Sequence, residues 1–313
     1  MGFAAFLILL FHLMPIPRGG DLPSTLARFI IMTAYIGVDM FFFMSAYMAR
    51  FSDTEKYGAY IKRKFINIYP LFILSCLIAA SLGQLKWPKV LPTLLGLELF
   101  TKGGGSFLWF APSIMIFYLL LPLYHKMIDK LGAIKSCLMS LAVWFILMVV
   151  LEKLLNNHNI NIFLARIPIL LIGITLASYE GKWKSRTKLL AALPLLILGI
   201  FLSWQFGFMV KANFLFTDIF YVLTIPFTMG LILLMDVLFS SYKTIFLKHL
   251  GKISYELYCL QMALGVYFIR LFARNMSSKI LLFLLVFLCL TLLSFTLRYI
   301  RLRLKPAKAT PKQ

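Results

Sequence analysis

Four titratable side chains lie inside long apolar runs, and their residue types allow chemistry. They are His12, Asp39, Arg166 and Glu256. Such groups are costly to bury in a membrane and are usually functional there. A buried neutral imidazole such as His12 accepts a proton from a hydroxyl, which is the role of a general base. The structural alternatives are a helix-to-helix hydrogen bond for His12 and an ion pair or hydrogen bond for Asp39. Arg166 has three possible roles: pairing an acid, snorkelling to the interface, or binding an anionic substrate group.

A second candidate site is the basic cluster Lys62-Arg63-Lys64, which precedes Tyr69-Pro70. It is either a phosphate-binding patch for an anionic cytoplasmic ligand or a set of ordinary basic residues at the end of a span. The spacing alone favours the second explanation. The sequence has no Cys/His metal spacing, no Walker loop, no dinucleotide fingerprint and no nucleophile elbow. We therefore expect no metal and no permanently bound cofactor.

The composition shows which kind of protein must position these residues. Hydrophobic residues make up 61% of the 313 residues and charged residues 14%, whereas a soluble domain carries about 25% charged residues. This excludes a soluble enzyme, a disordered chain and a disulfide scaffold. In so apolar a chain, the net charge of +21 indicates cytoplasmic loops facing anionic lipid heads, and not nucleic acid.

The apolar runs predict an all-α, polytopic membrane protein with about ten transmembrane helices. The predicted spans cover residues 3–16, 26–48, 65–82, 108–123, 133–151, 160–177, 189–208, 214–239, 253–272 and 280–300. The run around 91–100 is too short to cross and is expected at the interface. Gly103-Gly104-Gly105 predicts a flexible turn. We expect one membrane-embedded domain over 1–304 and a basic cytoplasmic tail over 305–313.

The basic residues set the predicted orientation. Of 32 Lys and Arg, 21 fall in the loops after the second, fourth, sixth and eighth spans and in the tail, against eight in the alternate loops. The positive-inside rule therefore places these loops and both termini in the cytoplasm. His12 then lies about 16 Å along its helix from Met1, nearer the outer face of the membrane.

Several segments, taken in order, resemble the acyltransferase 3 family of integral membrane acyltransferases, which modify sugars of bacterial surface polysaccharides. The opening helix ends in His12, as the family's opening helix ends in a histidine. The other matching segments are Tyr35-Ile36-Gly37-Val38-Asp39 through Met44-Ser45, Lys62-Arg63-Lys64 with Ile68-Tyr69-Pro70, Leu108-Trp109-Phe110-Ala111-Pro112 with Tyr118 and Pro122, Arg166-Ile167-Pro168 with Gly173, and Leu250-Gly251-Lys252-Ile253-Ser254-Tyr255-Glu256-Leu257-Tyr258. No single motif is decisive, but together they cover nearly the whole chain in a specific order.

The resemblance implies an acyl-CoA donor, most often acetyl-CoA, taken from the cytoplasm, and a carbohydrate acceptor on the outer side. It implies a multi-pass protein of the bacterial inner membrane with His12 as the essential histidine. On this hypothesis Arg63 and Lys64 hold the CoA phosphates at the cytoplasmic mouth. Arg166 or Tyr255 donates a hydrogen bond to the tetrahedral intermediate. Asp39 and Glu256 bind substrate or have structural roles.

The sequence departs from the family pattern at several positions. The family pairs its histidine with an arginine eleven positions earlier, where this chain has Met1. The simplest expectation is a late start or a truncated chain, and the alternative is a lost arginine. Ala46 replaces a glycine, Lys64 and Asn67 stand where arginines are common, and Gln261 stands where histidine is frequent.

Two alternatives to an acyltransferase follow from these features. A glycan exporter shares the apolar spans and the buried charges. However, the sequence lacks the broken helix pairs in matching halves that many transporters have. The other alternative is an inactive relative that serves in a glycan assembly complex. The sequence does not identify the acceptor sugar, the acyl group or the oligomeric state.

Overall fold

The structure is a computed structural model that describes residues 1–154, 158–181, 183–211, 215–241, 245–273 and 278–304. Within these ranges the chain is α-helical and contains no strand. Seven helical stretches are long and apolar enough to cross a membrane. They are Leu22–Ala49, Tyr57–Ser81, Phe110–Leu131, Ala133–Leu154, Ser185–Met209, Phe220–Phe239 and Lys279–Arg303. The all-α, polytopic prediction is confirmed.

Three further predicted spans correspond to shorter or interrupted helices. Gly2–Leu13 and Asn161–Ala177 are shorter apolar stretches, and the predicted ninth span divides into several helical segments. The count of ten spans and the cytoplasmic termini remain predictions. The proposed tail over 305–313 lies outside the described residues.

The first half of the chain contains seven α-helices. They are α1 (Gly2–Leu13), α2 (Leu22–Thr33), α3 (Ile36–Ala49), α4 (Tyr57–Ser81), α5 (Trp87–Leu94), α6 (Leu97–Lys102) and α7 (Phe110–Leu131). Asp21 caps α2, because its side chain accepts a hydrogen bond from Ser24 N. Hydrogen bonds from Ser24 lower the pKa of Asp21. The predicted second span is two helices, joined at Ala34 and Tyr35 by tight turns in which Gly37 N donates to Ala34 O.

The second half adds ten α-helices and three π-helical segments. The α-helices are α8 (Ala133–Val149), α9 (Asn161–Leu164), α10 (Ile167–Ala177), α11 (Ser185–Leu202), α12 (Phe220–Leu223), α13 (Ile225–Ser241), α14 (Ile245–Lys252), α15 (Ser254–Leu260), α16 (Val266–Phe272) and α17 (Lys279–Leu304). The π-helical segments are Val150–Leu154, Ser203–Met209 and Gln261–Gly265. π-turns are rare and occur frequently at functional sites.

The predicted glycine-rich turn before α7 packs closely against another loop at one of its residues. Residues Gly103–Gly105 form one short 3-10 turn. A Cβ atom on Gly103 would lie 2.1 Å from the Asn159 carbonyl oxygen, and Gly103 has a φ of +53°. Gly103 is therefore packed against the loop before α9, whereas a Cβ on Gly105 would meet no atom of the described residues within 4 Å. The flexibility of the turn remains a prediction.

Helix α3 lies at the centre of the bundle. Ten of its 14 residues are buried, and it packs against α1, α10 and α13. Two glycines allow this close packing: a Cβ on Gly37 would lie 2.6 Å from Ala4 O, and a Cβ on Gly173 would lie 2.6 Å from Phe43 O. Small residues at such contacts are typical of membrane helices, since they let two backbones approach. Asp39 lies in the first turn of this central, closely packed helix.

Helices α11 and α13 form a tight pair at the edge of the bundle. A Cβ on Gly199 would lie 2.2 Å from Phe227 N, and one on Gly230 would lie 2.8 Å from Leu196 N. Apart from Ala192 and Gly199, the residues of α11 are exposed or half-buried. A helix can face lipid because its backbone hydrogen bonds are satisfied within the helix. The apolar outer surface of α11 suits that environment.

Candidate functional site

His12 lies in the last turn of α1, where its ring bonds to the backbone of its own helix. Its Nδ1 atom lies 2.9 Å from the carbonyl oxygen of Ile8. A carbonyl oxygen only accepts hydrogen bonds, so Nδ1 carries the hydrogen of the neutral ring. Nε2 then keeps its lone pair and is the nitrogen available to accept a proton. The half-buried ring has the tautomer that a general base needs.

Asp39 and Arg166 form a buried ion pair between α3 and the start of α10. Arg166 Nε lies 3.2 Å from Asp39 Oδ1, and each residue is 1% exposed. Arg166 Nη1 also donates to Ile162 O at 2.7 Å. The guanidinium carbon lies 3.5 Å from the ring centroid of Tyr221 and 5.2 Å from that of Trp109. Pairing was one of the alternatives that the sequence left open for both residues.

A row of aromatic rings connects His12 with this ion pair. The centroids of His12 and Phe11 are 5.1 Å apart, those of Phe11 and Tyr35 are 6.2 Å apart, and those of Tyr35 and Tyr221 are 5.0 Å apart. Tyr221 then stacks on Arg166. We call Phe11, Tyr35 and Tyr221 the aromatic bridge. The sequence identified the histidine and the two charged residues separately, and the structure brings them into one region.

The two residues of the predicted phosphate patch occupy different environments. Arg63 is exposed, and its Nη2 donates to Asp53 O at 3.4 Å. Lys64 is half-buried, with its Nζ 4.0 Å from the ring centroid of Tyr118 and 5.3 Å from that of Tyr60. Arg63 lies 5.9 Å from the Tyr60 ring centroid but is exposed, so it can reach a dissolved anionic ligand, whereas Lys64 is held by two closer cation–π contacts.

Tyr255 and Glu256 connect α15 to its neighbours. The Tyr255 hydroxyl donates to Ile68 O at 2.9 Å. Glu256, 1% exposed, pairs with Arg301 of α17, with Oε1 and Nη2 2.7 Å apart. To donate to a reaction intermediate, Tyr255 would have to give up the carbonyl of Ile68. Arg166 has five N–H donors and uses Nε and Nη1 for Asp39 and Ile162.

A polar cluster that sequence reasoning missed joins the segments after α8 and before α12. Glu152, 8% exposed, accepts hydrogen bonds from Thr217 N at 2.9 Å, from Thr217 Oγ1 at 2.7 Å, and from Asn161. His158 Nδ1 lies 3.1 Å from Glu152 and 3.4 Å from Thr217 Oγ1. Both contacts reach the same ring nitrogen, so this is not a Thr-His-carboxylate relay. The feature of the sequence that could have indicated this cluster is Glu152, an acidic residue directly after the apolar run 133–151.

A second polar group without an assigned role is Gln261, which begins the π-helical segment after α15. The residue is fully buried, and neither Oε1 nor Nε2 has a hydrogen-bond partner among the described residues. Among the described residues, no set of three or more His, Cys, Asp and Glu side chains is placed to hold a metal ion.

The larger cavity, of about 1190 Å³, lies among α1, α3, α10, α11, α13 and α14. Along α3 it extends from Tyr47 to Met40, the residue after Asp39. Lys188, Asp236 and Lys248 contribute to its wall, and the first two form an ion pair of 2.6 Å. Lys188 lies at the start of α11 and Lys248 in α14, in segments that the charge argument predicts to be cytoplasmic.

The fold defines a multi-pass α-helical membrane protein in which the aromatic bridge links His12 to the buried Asp39–Arg166 pair. The sequence model of the acyltransferase 3 family, described as an acyltransferase domain, matches residues 2–300. The chain belongs to this family, and membership supports acyltransferase activity. Comparisons with curated proteins and with solved structures gave no match.

Proposed function

We propose that this protein transfers an acyl group, most simply acetyl, from acyl-CoA to a hydroxyl of a cell-surface glycan at the bacterial inner membrane. The observation that carries the proposal is the Nδ1 bond of His12 to Ile8 O, which leaves Nε2 as the base. The sugar O–H attacks the thioester carbonyl while Nε2 takes its proton. The C–S bond then breaks, and the imidazolium returns the proton to the leaving thiolate. The products are an ester and free CoA.

The test compares His12 with a histidine in the same local geometry. His249 Nδ1 lies 2.7 Å from Ile245 O, one turn earlier on α14, but its ring is exposed. His12→Ala should abolish transfer of acetyl from labelled acetyl-CoA to membrane glycan, and His249→Ala should retain it. Retained transfer in His12→Ala would refute the assignment. An inactive wild type that also fails to bind acetyl-CoA would favour the exporter or the inactive relative.

The donor phosphates are proposed to bind at Arg63 and Lys64 on α4. The larger cavity, whose walls come from α1, α3, α10, α11, α13 and α14, is a separate candidate for the donor site. Because Arg63 is exposed and Lys64 is held by Tyr118, Arg63→Met should raise the KM for acetyl-CoA more than Lys64→Met does. Lys248→Met is the informative comparison, since Lys248 lies in the cavity wall. A larger KM effect at Lys248 than at Arg63 would move the phosphate site to the cavity mouth.

A further inference from the structure

A small cavity of about 220 Å³ lies beside the end of α1. Its walls come from α1, α2, the turn before α3, the π-helical segment Ser203–Met209 and α12. Four aromatic side chains, Phe11, Tyr35, Phe220 and Tyr221, line it, together with Lys211. Lys211 is the one charged side chain among the described residues of this wall. The aromatic bridge therefore forms one side of a cavity as well as a contact to Arg166.

The size and surface of this cavity suit one sugar ring. It holds the liquid volume of about seven water molecules and is smaller than the pockets of about 300–1,000 Å³ that take drug-sized ligands. Gly207 keeps one wall open, because a Cβ atom there would lie 3.0 Å from Tyr35 Oη. Aromatic faces cover the C–H face of a sugar, and a few polar groups fix its orientation.

The charge around the cavity is positive. Lys211 is exposed and has a φ of +48°, a strained conformation for a residue with a side chain. Such conformations concentrate at functional sites. A second cation, Arg28 on α2, lies over the ring of Phe208 at 5.8 Å, next to Gly207 in the wall. Asp218 is close enough for its charge to act on Lys211, but it does not line the cavity.

We infer that this cavity binds one ring of the acceptor glycan and that Lys211 selects a ring with an anionic substituent, a carboxylate or a phosphate. This inference rests on the proposed function, because it makes the cavity part of the acceptor site. The ring of Phe11 lines the cavity and lies 5.1 Å from the ring of His12. The side chain of Phe11 therefore lies between a sugar in this cavity and the ring of His12. Lysine acts on carboxylate and phosphate alike as a point charge.

The test measures sugar binding, so it does not depend on acyl transfer. The protein is placed in phosphatidylcholine nanodiscs, and ligand-observed NMR gives Kd for methyl glucuronide, glucose 6-phosphate and neutral methyl glucoside. At least one anionic sugar should bind wild type about tenfold more tightly than the glucoside. Lys211→Met should remove this preference, and Lys211→Arg should keep it. Lys86→Met, an exposed lysine at the start of α5, is the matched control and should also keep it.

Two results would overturn the inference. One is equal or undetectable binding of all three sugars by wild type. The other is a preference for anionic sugars that survives in Lys211→Met. Failure of the proposed function has a different signature, namely retained acetyl transfer in His12→Ala.

Discussion

Breaking the Asp39–Arg166 ion pair should be among the most destabilising single changes in this protein. At 3.2 Å and an effective dielectric constant of about 20, the attraction is about 5 kcal/mol. Removing one partner leaves the other charge buried, which typically costs about 3–5 kcal/mol. We expect Asp39→Asn and Arg166→Met each to lower the free energy of unfolding by that amount. The double variant Asp39→Leu/Arg166→Met should recover part of the loss, because no unpaired charge remains.

The two single variants should differ in their pH dependence. A carboxylate can neutralise itself by taking up a proton, whereas a guanidinium does not lose one. In Arg166→Met, folding then favours the protonated form of Asp39. The cost of Arg166→Met should therefore shrink as pH falls below neutral, while that of Asp39→Asn should shrink only at the lower pH where the paired carboxylate of the wild type is protonated. Tyr221, at 3.5 Å from the guanidinium carbon, continues to stabilise the unpaired arginine in Asp39→Asn.

The assay is reversible unfolding in mixed micelles with increasing SDS, followed by tryptophan fluorescence. The matched control is Asp236→Asn, which breaks the Lys188–Asp236 pair at 2.6 Å, where the two side chains are 30% and 55% exposed. Exposed pairs contribute about 0–1 kcal/mol, so this variant should unfold nearly as wild type does. Equal costs for Asp39→Asn and Asp236→Asn, or a double-mutant coupling near zero, would refute the reasoning.

Three further substitutions test other contacts. Gln261→Leu removes a buried amide that has no partner among the described residues, so the free energy of unfolding and the unfolding temperature in detergent should stay the same or rise. A loss of more than about 2 kcal/mol in the free energy of unfolding would show that the amide is hydrogen-bonded. Gly199→Val forces a side chain into the backbone of α13 and should cost about 3 kcal/mol or more, whereas Ile197→Val, at a position 72% exposed, should leave the melting temperature unchanged. Glu256→Gln leaves Arg301 without its carboxylate and should cost about 2 kcal/mol; adding Arg301→Gln should cost little more, and additive losses in SDS unfolding would contradict a direct pair.

The sequence predicted the class of fold well because membrane spans depend on apolar length, which is a local property. It did not predict the break at Ala34 and Tyr35 or the π-helical segments, since both leave the apolar run intact. It also did not predict the close packing of Gly103 against Asn159, because a glycine permits close packing as well as conformational freedom.

The candidate site was predictable only in part. His12, Asp39 and Arg166 stood out as titratable residues within apolar runs, and the order of residues in the chain is enough to find them. Their arrangement depends on packing between elements far apart in sequence, and no local pattern encodes that packing. The contact of Arg166 with Tyr221 and the hydrogen bond of Tyr255 to a carbonyl have the same origin. The catalytic and binding roles of these residues remain predictions.

The π-turn at Gln261–Gly265 lies where its helix passes from a buried to a less buried environment, and it shifts the rotational phase of the residues that follow. Six of the seven residues of α15 are buried before this turn, and none of the residues of α16 is buried after it. A π-turn contains one residue more than an α-turn, so everything downstream is rotated by about 100° relative to a continuous α-helix. Deleting one residue here would restore the α-helical phase and turn a different face of α16 toward the bundle. Inserting or deleting one residue at this point therefore changes the position of every side chain of α16 at once. An alignment with a sequence that lacks the extra residue would compare side chains on different faces of the helix.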